Sequence, residues 1–226
     1  MSSKSRQQLE KYLNEIEIKD SKCLDIGGSQ LPINGRIKHS NCEFKILDLK
    51  QPHECKQEPY FTGDLNNGAK VDTVVVFENG DEHAFLDEQP LVIIDTKQLG
   101  AVYKDITNYN KYFDIAFCIE VSEYWWNPIQ ALKNINYFLK KDGILYLSTH
   151  FLYPIHNPKE QDYLRYTPSG IKKMLKETGF KNLQCQARYI TNGANYEHFI
   201  YTEGMKPSKD STEHHYQGTI IKCEKA

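Results

Sequence analysis

Several features that would announce a function class are missing from this chain. Its 226 residues contain six cysteines, at 23, 42, 55, 118, 185 and 223, but no CxxC pair. Cys23 and Cys118 lie in apolar, strand-like runs, so the thiols are expected to be reduced and structural. There is no excess of basic charge. With 28 Lys+Arg against 30 Asp+Glu the formal net charge is -2, and a chain without a basic field is a poor generic binder of nucleic acid or anionic membrane. No run reaches the roughly twenty apolar residues that a bilayer span needs. The first residues, Met1-Ser-Ser-Lys-Ser-Arg-Gln-Gln, lack an apolar signal segment, so a soluble, cytoplasmic protein is expected.

What is present is organised around Lys22-Cys23-Leu24-Asp25-Ile26-Gly27-Gly28-Ser29-Gln30. An apolar strand ends there in an acid followed by small residues, which permit tight backbone geometry and close approach of a ligand. A second strand, Phe44 to Asp48, ends in another carboxylate about twenty residues on, the interval at which an acid meets a ribose in doubly wound sheets. The third glycine of a dinucleotide fingerprint is absent, and Leu31-Pro32-Ile33-Asn34-Gly35 stands in its place as a loop. A diphosphate needs the helix N-terminus that such a glycine opens. This departure counts against NAD and against sugar oxidoreduction.

The remaining periodicity predicts alternating strands and helices. Leu9, Tyr12, Leu13 and Ile16 give an apolar stripe to a helix over about 5–18. A short third strand is expected at Tyr60 to Leu65. Residues 69–100 interrupt the pattern with β-rich runs around Glu78-Asn79-Gly80-Asp81, a turn signal for an inserted hairpin or small subdomain. Lys111 to Ile119 is expected as a doubly buried fourth strand ending at Glu120. Asn127-Pro128 caps a helix reaching Leu139, closed by Lys140-Lys141-Asp142-Gly143 before a fifth strand at Ile144 to Ser148. Thr167-Pro168 opens a helix that stops at Gly179. Asn182 to Arg188 and Thr219 to Cys223 complete the strands.

Asp25-Ile-Gly27-Gly28-Ser29, Asp48, Phe113 to Tyr124 and Leu139 to Leu147 together resemble, in order and spacing, the motifs of class I S-adenosylmethionine-dependent methyltransferases. The resemblance covers roughly residues 20 to 190. Tyr153-Pro-Ile-His156 through Asp162-Tyr-Leu-Arg165-Tyr-Thr167 also looks like a block found in methyltransferases associated with sugars and glycans. It implies an α/β, Rossmann-like, mostly parallel seven-stranded sheet with helices on both faces, an antiparallel last strand and a β-rich insertion before strand 4, all in one domain over 1–226. S-adenosylmethionine is the implied cofactor and S-adenosylhomocysteine the product. Asp25, Gly27, Gly28 and Ser29 would line its methionine end, Asp48 the ribose, Asp64 the adenine and Glu120 the floor beneath the sulfonium.

The acceptor side is expected in the loop from Thr149 to Thr167. A hydroxyl must lose its proton as it takes the methyl group, and His156 then His150 are the candidate bases. Asp162 could orient the base, and Arg165 could hold an anionic acceptor, or the two could pair and fix the loop. Glu120-x-x-Glu123 is similar to the Glu-x-x-Glu-His element of metal-assisted sugar-hydroxyl methyltransferases. Tyr124 replaces the histidine, so magnesium at Glu120 and Glu123 is an option rather than the expectation. The expected acceptor is a sugar, glycan precursor or polar small molecule, without nucleic acid or membrane. RNA or a nucleotide as acceptor, or a non-catalytic binding protein, are the alternatives.

Overall fold

A computed structural model describes residues 4–48, 56–57, 59–62, 65, 75–76, 82–83, 109–156, 159–190 and 215–226. In chain order they form α1 (Lys4–Glu15), β1 (Glu17–Lys19), β2 (Lys22–Ile26), β3 (Lys38–Ser40), β4 (Glu43–Asp48), β5 (Phe61–Thr62), β6 (Val75–Val76), β7 (Glu82–His83), β8 (Phe113–Cys118), α2 (Pro128–Phe138), β9 (Leu139–His150), α3 (Pro168–Glu177), β10 (Phe180–Ile190) and β11 (His215–Lys225). Seven of the strands make one sheet in the order β10-β11-β9-β8-β2-β4-β5. Its pairings from β9 through β5 are parallel, while β11 runs antiparallel to both of its neighbours. This is the α/β architecture that the sequence implies.

Strand β2 lies between β4 and β8. The chain leaves it toward one side first and returns on the other, so a crevice opens at its carboxyl end, where ligands sit in open α/β sheets. Each face of the sheet has its own core. On one, Leu9 and Leu13 of α1 and Ile16 just after it pack with Ile115, Phe117, Tyr146 and Ile220. On the other, Leu132, Ile135, Ile171 and Leu175 of α2 and α3 pack with Leu24, Ala116, Leu145 and Leu147. Fully burying such a side chain contributes roughly 1.5–3 kcal/mol, so the two layers hold the strand ends in fixed register.

The caps follow the sequence. Asn127 accepts from Gln130 N at 3.4 Å and Thr167 from Gly170 N at 3.1 Å, each with proline opening the helix behind it. Gly179, at φ +85°, ends the turn after α3. Two boundaries differ from expectation. The first helix stops at Glu15, and residues 17–19 pair in parallel with β3 as a separate two-stranded sheet. Lys140 to Gly143 lies inside β9 as a bulge rather than between helix and strand: Phe113 pairs with Leu139 and Ile115 with Ile144, with Asp142 at φ +60° absorbing the extra residues. Within 69–100, β6 and β7 form an antiparallel pair on either side of the Asn-Gly signal. The rest of that segment, Leu91 to Ile94 included, lies outside the described residues.

Candidate functional site

The turn after β2 is built from backbone donors and two carboxylates. Gly27, at φ +69°, donates to Leu47 O at 2.8 Å, and a Cβ on it would strike the side chain of Val121. Asp25 folds back beneath the turn and accepts from Ile33 N at 2.7 Å. A Cβ on Gly28 would fall on the Asp25 carboxyl group, so glycine is required there by the carboxylate rather than by its own φ. Ser29 N donates to Asp48 at 3.1 Å, and Ser29 O accepts from Lys56 N and Gln57 N. The structure thus brings Asp25, Gly27, Gly28, Ser29 and Asp48 together at the crevice. Asp64 lies outside the described residues.

Burial moves Asp25 strongly. It is 4 % exposed. Loss of hydration raises its carboxyl to about 7, although the Ile33 N–H and the Arg36 charge pull the other way.

Across the crevice, the ends of β8, β9 and β10 meet in a second cluster. Glu120 follows β8 at φ +63°, a left-handed conformation that costs a non-glycine residue energy and re-aims the chain. Its Oε1 accepts from Arg188 Nη1 at 2.7 Å, and its Oε2 lies 3.4 Å from Arg6 Nη1 of α1. Its backbone N–H donates to Ser148 Oγ at 2.7 Å. Burial alone would raise this carboxyl, but His150 and Arg188 hold it well below the usual range. The short 3₁₀ turn Ser122–Tyr124 then carries Glu123 inward, where it is 0 % exposed. Glu123 is therefore a core residue. Its Oε1 meets His156 Nδ1 at 2.8 Å and His150 Nε2 at 3.4 Å, and the two histidines outweigh burial and lower its pKa.

The loop after β9 is fixed by backbone contacts to the same turn. Tyr163 N and Leu164 N both donate to Glu123 O, and Tyr166 N donates to His150 O. Asp162 and Arg165 pair in a bidentate fork, and Asp162 also accepts from His156 N at 2.6 Å. Arg165 adds a bond to Pro154 O at 3.3 Å. Of the two expectations for this pair, the observed contacts are those of a loop clasp that places His156. The aromatic rings of Tyr153 and His150 stack at 4.2 Å. Trp125 is buried as a wedge, while Trp126 is 56 % exposed beside it.

Chemically the cluster is a relay of proton acceptors and donors. With Nδ1 held by a buried carboxylate, Nε2 of His156 is the nitrogen able to take a proton. Glu123, His150 and His156 also present one ligand atom each within 4.8 Å, a spacing open to a divalent ion. Arg188 Nη1 holds Glu120 Oε1, so a cation bridging Glu120 and Glu123 would compete with a guanidinium already there, whereas Glu123 Oε2 and His150 Nε2 are buried without a hydrogen-bond partner among the described residues.

Arg188, Arg6 and Ser148 escaped the sequence reading. Arg188 is 1 % exposed although Gln184 and Gln186, on the same face of β10, are exposed. One signal was available: a buried arginine needs a carboxylate, and Glu120 was the candidate acid without an assigned partner.

A family model described as a methyltransferase domain matches residues 3–185. The tRNA U34 carboxymethyltransferase of Campylobacter jejuni subsp. doylei is 28% identical over 99 residues, 39% of this chain and 34% of that one. The chain thus spans about a third of that relative's length. Among solved structures, a candidate methyltransferase from Bacillus halodurans matches with a TM-score of 0.53 and 13% identity, over 97% of this chain and 98% of its own. An S-adenosylmethionine-dependent methyltransferase from Archaeoglobus fulgidus matches at 0.52 and 12%, over 98% and 92%. Likeness at such identity speaks to the fold. Among the described residues, no helix is long and apolar enough to cross a membrane.

Proposed function

This chain belongs to the methyltransferase-domain family as a class I S-adenosylmethionine-dependent enzyme, and from that premise we propose that it methylates a hydroxyl of a sugar, glycan precursor or similar polar small molecule. Asp25, Gly27, Gly28 and Ser29 shape the turn that receives the methionine end of the cofactor, and Asp48 receives the ribose. Glu120 and Val121 close the other wall of the crevice. His156 is the base.

One observation carries this reading: the fully buried carboxylate of Glu123 holds Nδ1 of a partly exposed histidine at 2.8 Å. That is the arrangement a general base needs, with one nitrogen fixed and the other presented. Methyl transfer from a sulfonium needs in-line placement of the acceptor oxygen, and proximity supplies much of the acceleration. The acceptor proton then passes to His156 Nε2 as the new carbon–oxygen bond forms and S-adenosylhomocysteine leaves.

An RNA acceptor is the second reading, supported by the partial likeness to a tRNA-modifying protein. The net charge of -2 opposes it. The test is transfer of label from S-adenosylmethionine to a panel of sugars, sugar nucleotides and small hydroxylated compounds, with transfer RNA as counter-substrate. The expected result is an O-methylated polyol product, lost in His156→Gln while S-adenosylhomocysteine still binds. Label on RNA alone would overturn the acceptor class.

A further inference from the structure

The methionine end of S-adenosylmethionine carries a carboxylate beside its ammonium and its sulfonium. The charged side chains assigned to that end, Asp25 and Glu120, are acids, which suit the two cationic groups and repel the anionic one. Two N–H groups of the glycine turn are already engaged, Gly27 N with Leu47 O and Ser29 N with Asp48. A carboxylate drawn out of water at this place therefore needs a cation.

A row of ion pairs along α1 brings one there. Arg36 donates to Glu10 through Nη2 at 2.9 Å and Nε at 3.2 Å, and Arg6 Nε donates to the same carboxylate at 2.8 Å. Arg6 Nη1 then lies 3.4 Å from Glu120 Oε2, while Glu120 Oε1 accepts from Arg188 at 2.7 Å. One end of the row is tied to the turn, because Ile33, shortly before Arg36, donates its N–H to Asp25. The other end adjoins Val121, the residue that a Cβ on Gly27 would strike. The row thus runs beside the wall where the turn after β2 meets the end of β8. Strand β4, which carries Asp48, lies on the other side of β2.

Three arginines alternate with two acids along this row, so it holds one positive charge more than negative. Of the three, Arg6 is the one that a ligand can reach: its side chain is 29 % exposed, against 8 % for Arg36 and 1 % for Arg188. Its two contacts are unequal. The bond to Glu10 has ordinary length and fixes Nε, whereas the approach of Nη1 to Glu120 is at the outer limit for a hydrogen bond. A carboxylate arriving at the Nη end replaces the long contact and keeps the short one, and Glu120 retains Arg188.

We propose that Arg6 is a cofactor-binding residue whose guanidinium receives the carboxylate of S-adenosylmethionine. This rests on the placement of the methionine end at the turn of residues 27–29. Helix α1 then has two tasks on neighbouring faces. Leu9 and Leu13 seat it on the sheet, and Glu10, one turn on from Arg6, orients the guanidinium toward the crevice. Arginine suits the task because its fork of donors matches a carboxylate. The consequence is selectivity for adenosyl ligands that keep their amino-acid carboxylate.

The test is calorimetry on the full chain with S-adenosylmethionine and with its decarboxylated form, which keeps the adenosine, the sulfonium and an ammonium. Wild type is expected to prefer the carboxylated ligand by about 10- to 100-fold, the worth of a hydrogen bond to a charged group. Arg6→Met should bind the decarboxylated form as wild type does and lose most of that preference, and Arg6→Lys should keep part of it. Should Arg6→Met fail to fold, Arg6→Gln, which can still donate to Glu10, takes its place. No preference in wild type, or the full preference in the Arg6 variant, overturns the role of Arg6. An equal loss of affinity for both forms overturns it too, since that is what loosening α1 alone would do. Wild-type protein that binds neither form overturns the cofactor reading itself, a different failure from the other three.

Discussion

Two strand-end carboxylates face one crevice and are held in opposite ways. Asp25, near the end of β2, is buried with the Ile33 N–H as its donor and the Arg36 charge farther off, and its carboxyl rises to about 7. Glu120, after β8, is nearly as buried but has Arg188, Arg6 and His150 around it, and stays well below the ordinary range. The difference follows from their partners: one backbone N–H and a charge not in contact offset only part of the lost hydration at Asp25, whereas charges in direct contact outweigh it at Glu120. It also separates two ways of building a site. The proposed cofactor side is a local turn, and the proposed acceptor side is an assembly of side chains from distant elements.

The largest expected effect tests the assembled side. His156→Gln should lower methyl transfer by about 10²–10⁴-fold, with affinity for S-adenosylhomocysteine unchanged in calorimetry. Loss of cofactor affinity to the same degree would mean that the two sides are not separable. Next is Arg188→Met, which leaves Glu120 charged and buried. Breaking a buried pair from one end costs about 3–5 kcal/mol, read as a fall in the denaturant midpoint. Arg188→Met together with Glu120→Met should recover most of that loss, because a buried ion pair is worth little against well-packed apolar groups.

A smaller effect tests the local side, with the opposite sign. Asp25 has a folded-state value near 7 against 3.8 unfolded. Its contribution to stability is therefore full below the unfolded value and lost as pH rises through the folded one. At roughly 1.4 kcal/mol per tenfold in proton affinity, the rise from 3.8 to about 7 makes that loss about 4 kcal/mol above neutrality. Asp25→Asn keeps an acceptor for Ile33 N and carries no charge. It should match wild type in thermal stability at about pH 4 and exceed it at about pH 8. Glu120 works the other way, its stabilisation being present above 4.5 and lost in acid. A variant Asp25→Asn that is destabilised equally at both pH values would break the contrast.

This contrast also explains what could be read in the chain. The sheet, the caps at Asn127 and Thr167 and the glycine turn depend on neighbours in sequence, so period and spacing were enough to expect them. Glu123 could not be placed that way. At a three-residue interval from Glu120 it reads only as an optional magnesium ligand, and it is the 3₁₀ turn that carries it into the core. Arg188 lies near the end of β10, whose Gln184 and Gln186 on the same face are exposed. Its burial is decided by α1 and by Gly218, which are remote in the chain. The bulge at 140–143 reads in sequence as a helix-closing turn because Asp-Gly serves both, and only the pairing of β8 with β9 distinguishes them.

The smallest effect probes Asp48, the proposed meeting point of the local turn and the ribose. Its carboxylate accepts from Ser29 N at 3.1 Å, and this bond ties the end of β4 to the glycine turn. Asp48→Asn preserves an oxygen for that N–H, so the turn should keep its shape and the melting temperature should move little. What changes is the proposed second task, holding ribose hydroxyls, where a carboxylate offers two charged acceptor oxygens and an amide one neutral oxygen. Losing the charge from one such bond costs on the order of 1.4 kcal/mol, or about tenfold in affinity for S-adenosylmethionine. Calorimetry on the pair Asp48→Asn and Asp48→Ala separates the two tasks: the alanine variant also releases Ser29 N and should lose stability as well as affinity. Equal affinity for the cofactor in all three proteins would remove Asp48 from the ribose, leaving it as a strut of the turn alone.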